Sequence, residues 1–265
     1  MSPGTLQDMN TGSLPAATDI CGFPVRPLDQ QQLIDVLSNR ARNNVQTTVH
    51  YLNAHTFNLA HYDSHFRQIL TTSDLLYADG ISVVLAGKLL GQSLPQRLTA
   101  ADYFETFCRR CARLRLSLFL LGGDAGVSEK TARVLTERIN GLQIKGTHPG
   151  YFDENQSPAV VEQINDSGAD ILIVGMGSPR QEKWLDRHEA QLVGPLRWSV
   201  GALMDYFADR ESRAPRWLCQ IGGEWLFRML YRPGQRWRRY LIGNARFARI
   251  ILKEKLGRWK GIPDR

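Results

Sequence analysis

ADILIVGMGSPRQEKW, residues 169–184, is the stretch from which the fold can be read. Ile171 to Val174 is a short apolar run rich in β-branched side chains. Gly175 and Gly177 permit a sharp turn, and Pro179 suits the first position of a helix carrying Gln181, Glu182 and Trp184. The pattern is a strand, a tight turn and a helix start. In an open parallel sheet this succession leaves backbone N–H groups and a positive helix end at the carboxyl edge of the strands, where anionic ligands bind. A phosphate-bearing ligand is the first expectation, and a plain strand-to-helix turn explains the same residues equally well.

The same succession recurs on either side. Leu116 to Leu121 reads as a strand, Gly122 and Gly123 turn it, and a helix follows from about Val127 to Ile139. This is not a G-x-G-x-x-G fingerprint, so no dinucleotide cofactor is expected. Earlier, a helix from about Asp29 to Asn43 precedes a strand at Thr47–Leu52, which delivers Asn53, His55 and Thr56 to a strand end. Asn53 reads there as a ligand-facing amide or as a helix cap. Leu75 to Tyr77 is a further strand running into Ala78-Asp79-Gly80, where local sequence favours a turn but a base at a pocket mouth fits as well. Ile81 to Leu90 has helical spacing, and Arg97 to Asp102 leads into another helix. Gln143 to Thr147 is a strand followed by a loop bearing Tyr151, a ring that can stack on a base or pack on the core. Leu196 to Val200 is the last strand, before Gly201 to Asp205. Strands alternating with helices across residues 47–207 predict an α/β fold, a Rossmann-like, mostly parallel sheet with helices on both faces.

A chain of 265 residues can bury one large α/β core, or one domain with an appendage, and 43% hydrophobic with 22% charged side chains is the composition of a globular protein. Residues 1–17 lack a basic start and an apolar core, so they read as a disordered leader before an α/β domain at 18–209. No apolar run reaches the roughly 18 residues of a spanning helix. Cys108 and Cys111 form a C-x-x-C inside a helical pattern without a second pair, which fits ordinary thiols better than a metal site. His61 and His65 lack the glutamate of a zinc-protease helix and read as surface residues.

Charge is unevenly spread. Residues 210–265 hold 15 of the 33 Lys/Arg and 4 of the 26 Asp/Glu, so this tail carries +11 and the rest of the chain −4. Trp217, Trp225 and Trp237 are interleaved with those cations in two helical patterns, Pro215–Tyr231 and Gln235–Leu256. Tryptophan beside Lys and Arg suits a bilayer interface, so the tail is expected to be a basic amphipathic appendage meeting an anionic membrane surface, with a tail simply docked on the core as the alternative. Without a recognised nucleic-acid module around these residues, no nucleic-acid partner is expected.

Several spaced motifs then point one way: LNAHTFNLA at 52–60, ADG at 78–80, RLTAAD at 97–102, LLGGD at 120–124, GYF at 150–152, GMGSPRQEKW at 175–184, VGALMDYFAD at 200–209, RAPRW at 213–217 and GGEWLFRML at 222–230. In these the chain, from about Cys21 to Leu256, resembles the WecG/TagA/CpsF glycosyltransferases. The resemblance implies an inverting, metal-independent enzyme without a cofactor. It would move a sugar, N-acetylmannosamine, its uronic acid or a hexose such as glucose, from a UDP-sugar to an undecaprenyl-diphosphate-linked sugar. The place implied is the inner face of the bacterial cytoplasmic membrane. Residue by residue it implies Asp79 as general base, Asn53 and Gln181 near donor sugar and acceptor, and Arg97 on the diphosphate. Tyr151 and Asp205 fall where uridine is expected, and Arg228 and Arg238 would close over the site. Thr56, Gly122, Gly123, Gly175 and Glu182 complete the substrate-binding candidates. Ala100, Ala202 and the run Arg232–Gln235 depart from the family's usual residues. A non-catalytic UDP-binding component of an envelope-assembly complex remains the alternative, and a homo-oligomer is compatible with either.

Overall fold

The computed structural model describes residues 14–211, 213–215, 218, 223, 226–227, 237 and 241–259. In chain order the elements are β1 (Thr18–Asp19), β2 (Pro24–Val25), α1 (Gln30–Arg42), β3 (Thr47–Leu52), α2 (Ala54–Tyr62), α3 (Ser64–Thr72), β4 (Leu75–Ala78), α4 (Ile81–Leu89), α5 (Ala100–Leu114) and β5 (Ser117–Gly122). They continue with α6 (Val127–Arg138), β6 (Gln143–His148), α7 (Ser157–Ser167), β7 (Ile171–Gly175), α8 (Arg180–His188), β8 (Leu196–Ser199), α9 (Leu203–Phe207) and, in the tail, α10 (Gly243–Trp259).

The strands form one sheet in the order β1-β2-β4-β3-β8-β7-β5-β6, parallel throughout except for the β1–β2 pair. β3, β4, β5, β7 and β8 are buried along their whole length, as strands covered on both faces must be. Edge strand β6 is only half buried and carries Gln143 and Lys145 outward. Against one face, α1, α5, α6 and α9 pack Leu33, Phe107, Leu135 and Met204 onto Val49, Tyr77, Leu118 and Trp198. Against the other face, α2, α3, α4 and α10 contribute Phe57, Phe66, Val83 and Phe247, and further along α7 and α8 contribute Val160 and Leu185.

β3 and β8 are neighbours, yet the helices that follow them, α2 and α9, lie on opposite faces. Chains leaving adjacent strands in opposite directions open a crevice at the carboxyl edge, the usual ligand position of such sheets. The tail helix is also no detached arm, because Phe247 and Ile251 are buried among Phe57, Phe66 and Val83. At the other end, the Pro15 carbonyl accepts from Arg26 at 2.7 Å and Leu14 packs on the core, so these two residues of the expected leader lie against the fold. Residues 1–13 of that leader are outside the described residues.

Candidate active site

Leu52 pairs with Ala78 across the β3–β4 ladder, so the residues that follow the two strands meet. The Asp79 N–H donates to the Leu52 carbonyl at 2.8 Å, and Asn53 Nδ2 donates to Asp79 Oδ2 at 3.0 Å. The other end of the Asn53 amide caps α2. Its Oδ1 accepts from the backbone N–H groups of His55 at 2.9 Å and Thr56 at 3.0 Å, and Thr56 Oγ1 accepts the Asn53 N–H at 2.8 Å. The cap reading of Asn53 therefore holds. By fixing Oδ1 on the helix, the cap turns the amide N–H toward Asp79. Thr56 is buried inside this box and reaches the site through Asn53.

Asp79 and Asn53 line a cleft of about 190 Å³ at the carboxyl edge of β4, β3, β8 and β7. Tyr51 and Tyr77 form part of its wall, with Thr99 to Ala101 from the start of α5, Gly177 and Ser178 after β7, and Val200 to Leu203, Tyr206 and Glu211 after β8. The groove runs across the ends of these four neighbouring strands, with Asp79 on the β4 side and Ser178 on the β7 side. Below it lies an aromatic floor. Trp198 Nε1 donates to Tyr77 Oη at 3.1 Å, and Tyr103 stacks on Trp198 with ring centroids 6.1 Å apart. Burial, reinforced by the Asp79 carboxylate, pushes the Tyr77 phenol well above its ordinary range, so it stays a neutral donor beside that carboxylate.

The far wall is a hydrogen-bonded strap. Gln181 is fully buried; its Nε2 donates to Glu182 Oε1 at 2.8 Å and to Tyr51 Oη at 3.3 Å, and its Oε1 accepts the Gly201 N–H at 3.0 Å. Ser178 Oγ donates to Glu182 Oε1 at 2.7 Å and is 3.1 Å from Tyr51 Oη. Gln181 thus ties the β7–α8 turn to the β8–α9 turn and reaches the groove through Tyr51 and Gly201. Burial raises the Glu182 carboxyl, partly offset by the Gln181 and Ser178 donors. Its other oxygen has no hydrogen-bond partner among the described residues. The helix begins at Arg180, with Pro179 at the capping position and not at the first helical one.

Glycine appears along this edge because the backbones nearly touch. A Cβ on Gly122 would lie 2.5 Å from the Gly175 carbonyl oxygen, and one on Gly175 would lie 2.8 Å from that of Gly201. Gly123 donates its N–H to the Gly175 carbonyl at 3.1 Å. These three expected ligand positions are therefore buried points of strand-to-turn contact, and Gly177 is the glycine of the opening stretch that faces the cleft.

The remaining expected residues spread around the rim. Arg97 donates to Thr99 Oγ1 at 3.1 Å and pairs with Asp102 at 3.0 Å, which sets it behind the cleft wall at Thr99. Arg213 donates to the Ala101 carbonyl at 2.8 Å and also reaches Asp102. Tyr151 is 59% exposed, with the Arg180 guanidinium 5.3 Å over its ring, outside the cleft. Asp205 lies in the first turn of α9, one residue before Tyr206. Arg228 and Arg238 lie outside the described residues. Tyr51, Tyr77, Ser178 and Tyr206 went unnoticed in the sequence. The first two could have been found, since Tyr51 and Tyr77 each stand two residues before Asn53 and Asp79, the side-chain period of a strand. Cys108 and Cys111 are buried in α5 with both thiols raised by burial, which leaves them inert. Among the described residues no group of three or more His, Cys, Asp or Glu could hold a metal ion.

The profile of the Glycosyl transferase WecG/TagA/CpsF family matches residues 18–261, from β1 to beyond α10.

Proposed function

The chain belongs to the WecG/TagA/CpsF glycosyltransferase family, and from that premise we propose that it transfers a sugar from a UDP-sugar to an undecaprenyl-diphosphate-linked saccharide with Asp79 as general base. The observation that carries this reading is the Asn53–Asp79 pair, 3.0 Å apart at the mouth of the crevice where the sheet changes winding direction. A carboxylate held there by an amide whose other end is fixed to a helix is in place to take the proton of an acceptor hydroxyl. That oxygen attacks the anomeric carbon, the bond to the UDP oxygen breaks with its electron pair leaving on the diphosphate, and the configuration inverts. Arg97, whose guanidinium is anchored on Thr99 and Asp102, supplies a cation near the groove for the departing diphosphate. The polysaccharide so built belongs to the cell envelope or is exported, and the sugar is N-acetylmannosamine, its uronic acid or a hexose such as glucose. The site of action is the inner face of the cytoplasmic membrane. The described residues contain no helix long and apolar enough to span a bilayer, which is compatible with attachment to its surface.

The test is transfer from a panel of UDP-sugars to a synthetic polyprenyl-diphosphate saccharide, by native protein and by Asp79→Ala. The variant is expected to lose about 10²–10⁴-fold in rate while still binding UDP. Equal rates would remove Asp79 from the base role. UDP binding without turnover on any acceptor would favour a non-catalytic UDP-binding component.

A further inference from the structure

Two helices of one layer present leucines on the side turned away from the sheet. In α10, Phe247 and Ile251 are buried, and Asn58 Nδ2 pins the start of the helix by donating to the Gly243 carbonyl at 2.8 Å. Leu252 and Leu256 lie roughly opposite, at about 100° per residue, and are 52% and 55% exposed. α4 packs beside α10 and repeats the pattern, with Val83, Ala86 and Gly87 inward and Leu85 and Leu89 outward, 57% and 36% exposed. A helix apolar on two opposite sides needs a second apolar environment. Cations border this one: Lys88 on α4, and Arg249, Lys253 and Lys255 on α10, all exposed. Glu254 is the sole acidic residue of the two helices.

We propose that the outward face of α4 extends the membrane-facing surface expected of the tail, so that α4 docks beside α10 on an anionic lipid bilayer and the α/β domain itself touches the membrane. The inference rests on the lipid-linked acceptor of the preceding reading. Leucines sunk at the headgroup boundary with Lys and Arg among anionic headgroups satisfy both chemistries of the patch. A second copy of the chain does so poorly, since a two-fold contact would set cations against cations. The surface is also tied to the groove. α4 starts two residues after Asp79, and α10 lies against α2, which starts immediately after Asn53.

Flotation with vesicles of phosphatidylcholine alone or mixed with phosphatidylglycerol tests this on the full chain. Native protein floats with the mixed vesicles only. Leu85→Gln with Leu89→Gln, and separately Leu252→Gln with Leu256→Gln, each lower partitioning by about tenfold or more. Melting temperature and transfer to a water-soluble acceptor analogue stay native. Native protein that fails to float, or an α4 pair that floats as native does, overturns the proposal. So does a loss of flotation accompanied by a change of oligomeric state in sedimentation, which would assign the face to a second copy. Because flotation needs no turnover, Asp79→Ala floats like native. Floating protein that transfers nothing would reject the enzyme reading and leave the surface intact.

Discussion

Asn53 does two jobs with one amide, and substitutions can separate them. Asn53→Ala removes the α2 cap and the donor to Asp79 together, so it should cost about 1 kcal/mol of stability as well as activity. Asn53→Asp keeps a competent cap but sets a second carboxylate beside Asp79. Two such groups share a proton, so the acid limb of the pH–rate profile should move to higher pH, read from transfer rates across a pH series. An unmoved limb would mean that the Asp79 carboxylate does not govern the rate. His50, three residues earlier on β3, makes a different pH statement. It is buried against Ser199 Oγ at 2.9 Å, and burial lowers its imidazole to about 3. Between its ordinary value of 6.5 and about 3, the unfolded chain binds a proton that the folded chain refuses. Stability should therefore fall as pH drops through that window, by at most about 1.4 kcal/mol per pH unit from this group. Urea unfolding across the window should show a flatter dependence for His50→Gln.

Among the elements, the carboxyl ends of β5, β7 and β8 depend on glycine for contact. Gly122→Ala would drive a methyl group into the Gly175 carbonyl, and both partners are backbone that cannot rotate away. A loss of about 1–3 kcal/mol or more is expected, measurable by denaturant unfolding, with a groove displaced even where the chain still folds. Asp63 works at a helix junction. It ends α2, caps α3 by accepting from the Phe66 N–H at 2.9 Å, and pairs with Lys183 of α8 at 2.6 Å. The Lys183 donor, then the Phe66 N–H, hold its carboxyl below the ordinary range. The stability it contributes is present above that ordinary value and lost as pH falls through the lowered one. Asp63→Ala should accordingly destabilise the protein at neutral pH and matter progressively less in acid.

At the scale of the whole molecule, the basic tail and the α/β core share one apolar cluster. Removing residues 210–265 would strip Phe247 and Ile251 from Phe57, Phe66 and Val83, so a truncated chain tests folding as much as membrane contact. Phe247→Ala should cost about 3–5 kcal/mol in denaturant unfolding, the price of a cavity in a shared core. A cost under about 1 kcal/mol would instead make α10 a loosely docked arm.

Much of this architecture was legible in the sequence. Runs such as Ile171–Val174 and Leu118–Leu121 can be satisfied only between two helical layers, and the glycines after them stop the strands, so a parallel α/β sheet follows from local chemistry alone. Spacing also sufficed to put Asn53 and Asp79 at strand ends. Register was not legible. Only hydrogen bonding of β3 to β4 sets Leu52 opposite Ala78 and so brings Asn53 within 3.0 Å of Asp79, residues 26 apart in the chain. Nor could sequence tell that Gln181 and Glu182 turn inward, because a helix start looks the same from either side until Tyr51 and Gly201 close on it. Strand and helix identity is a property of neighbours along the chain; what faces a groove is decided by neighbours across it, and those are supplied by folding.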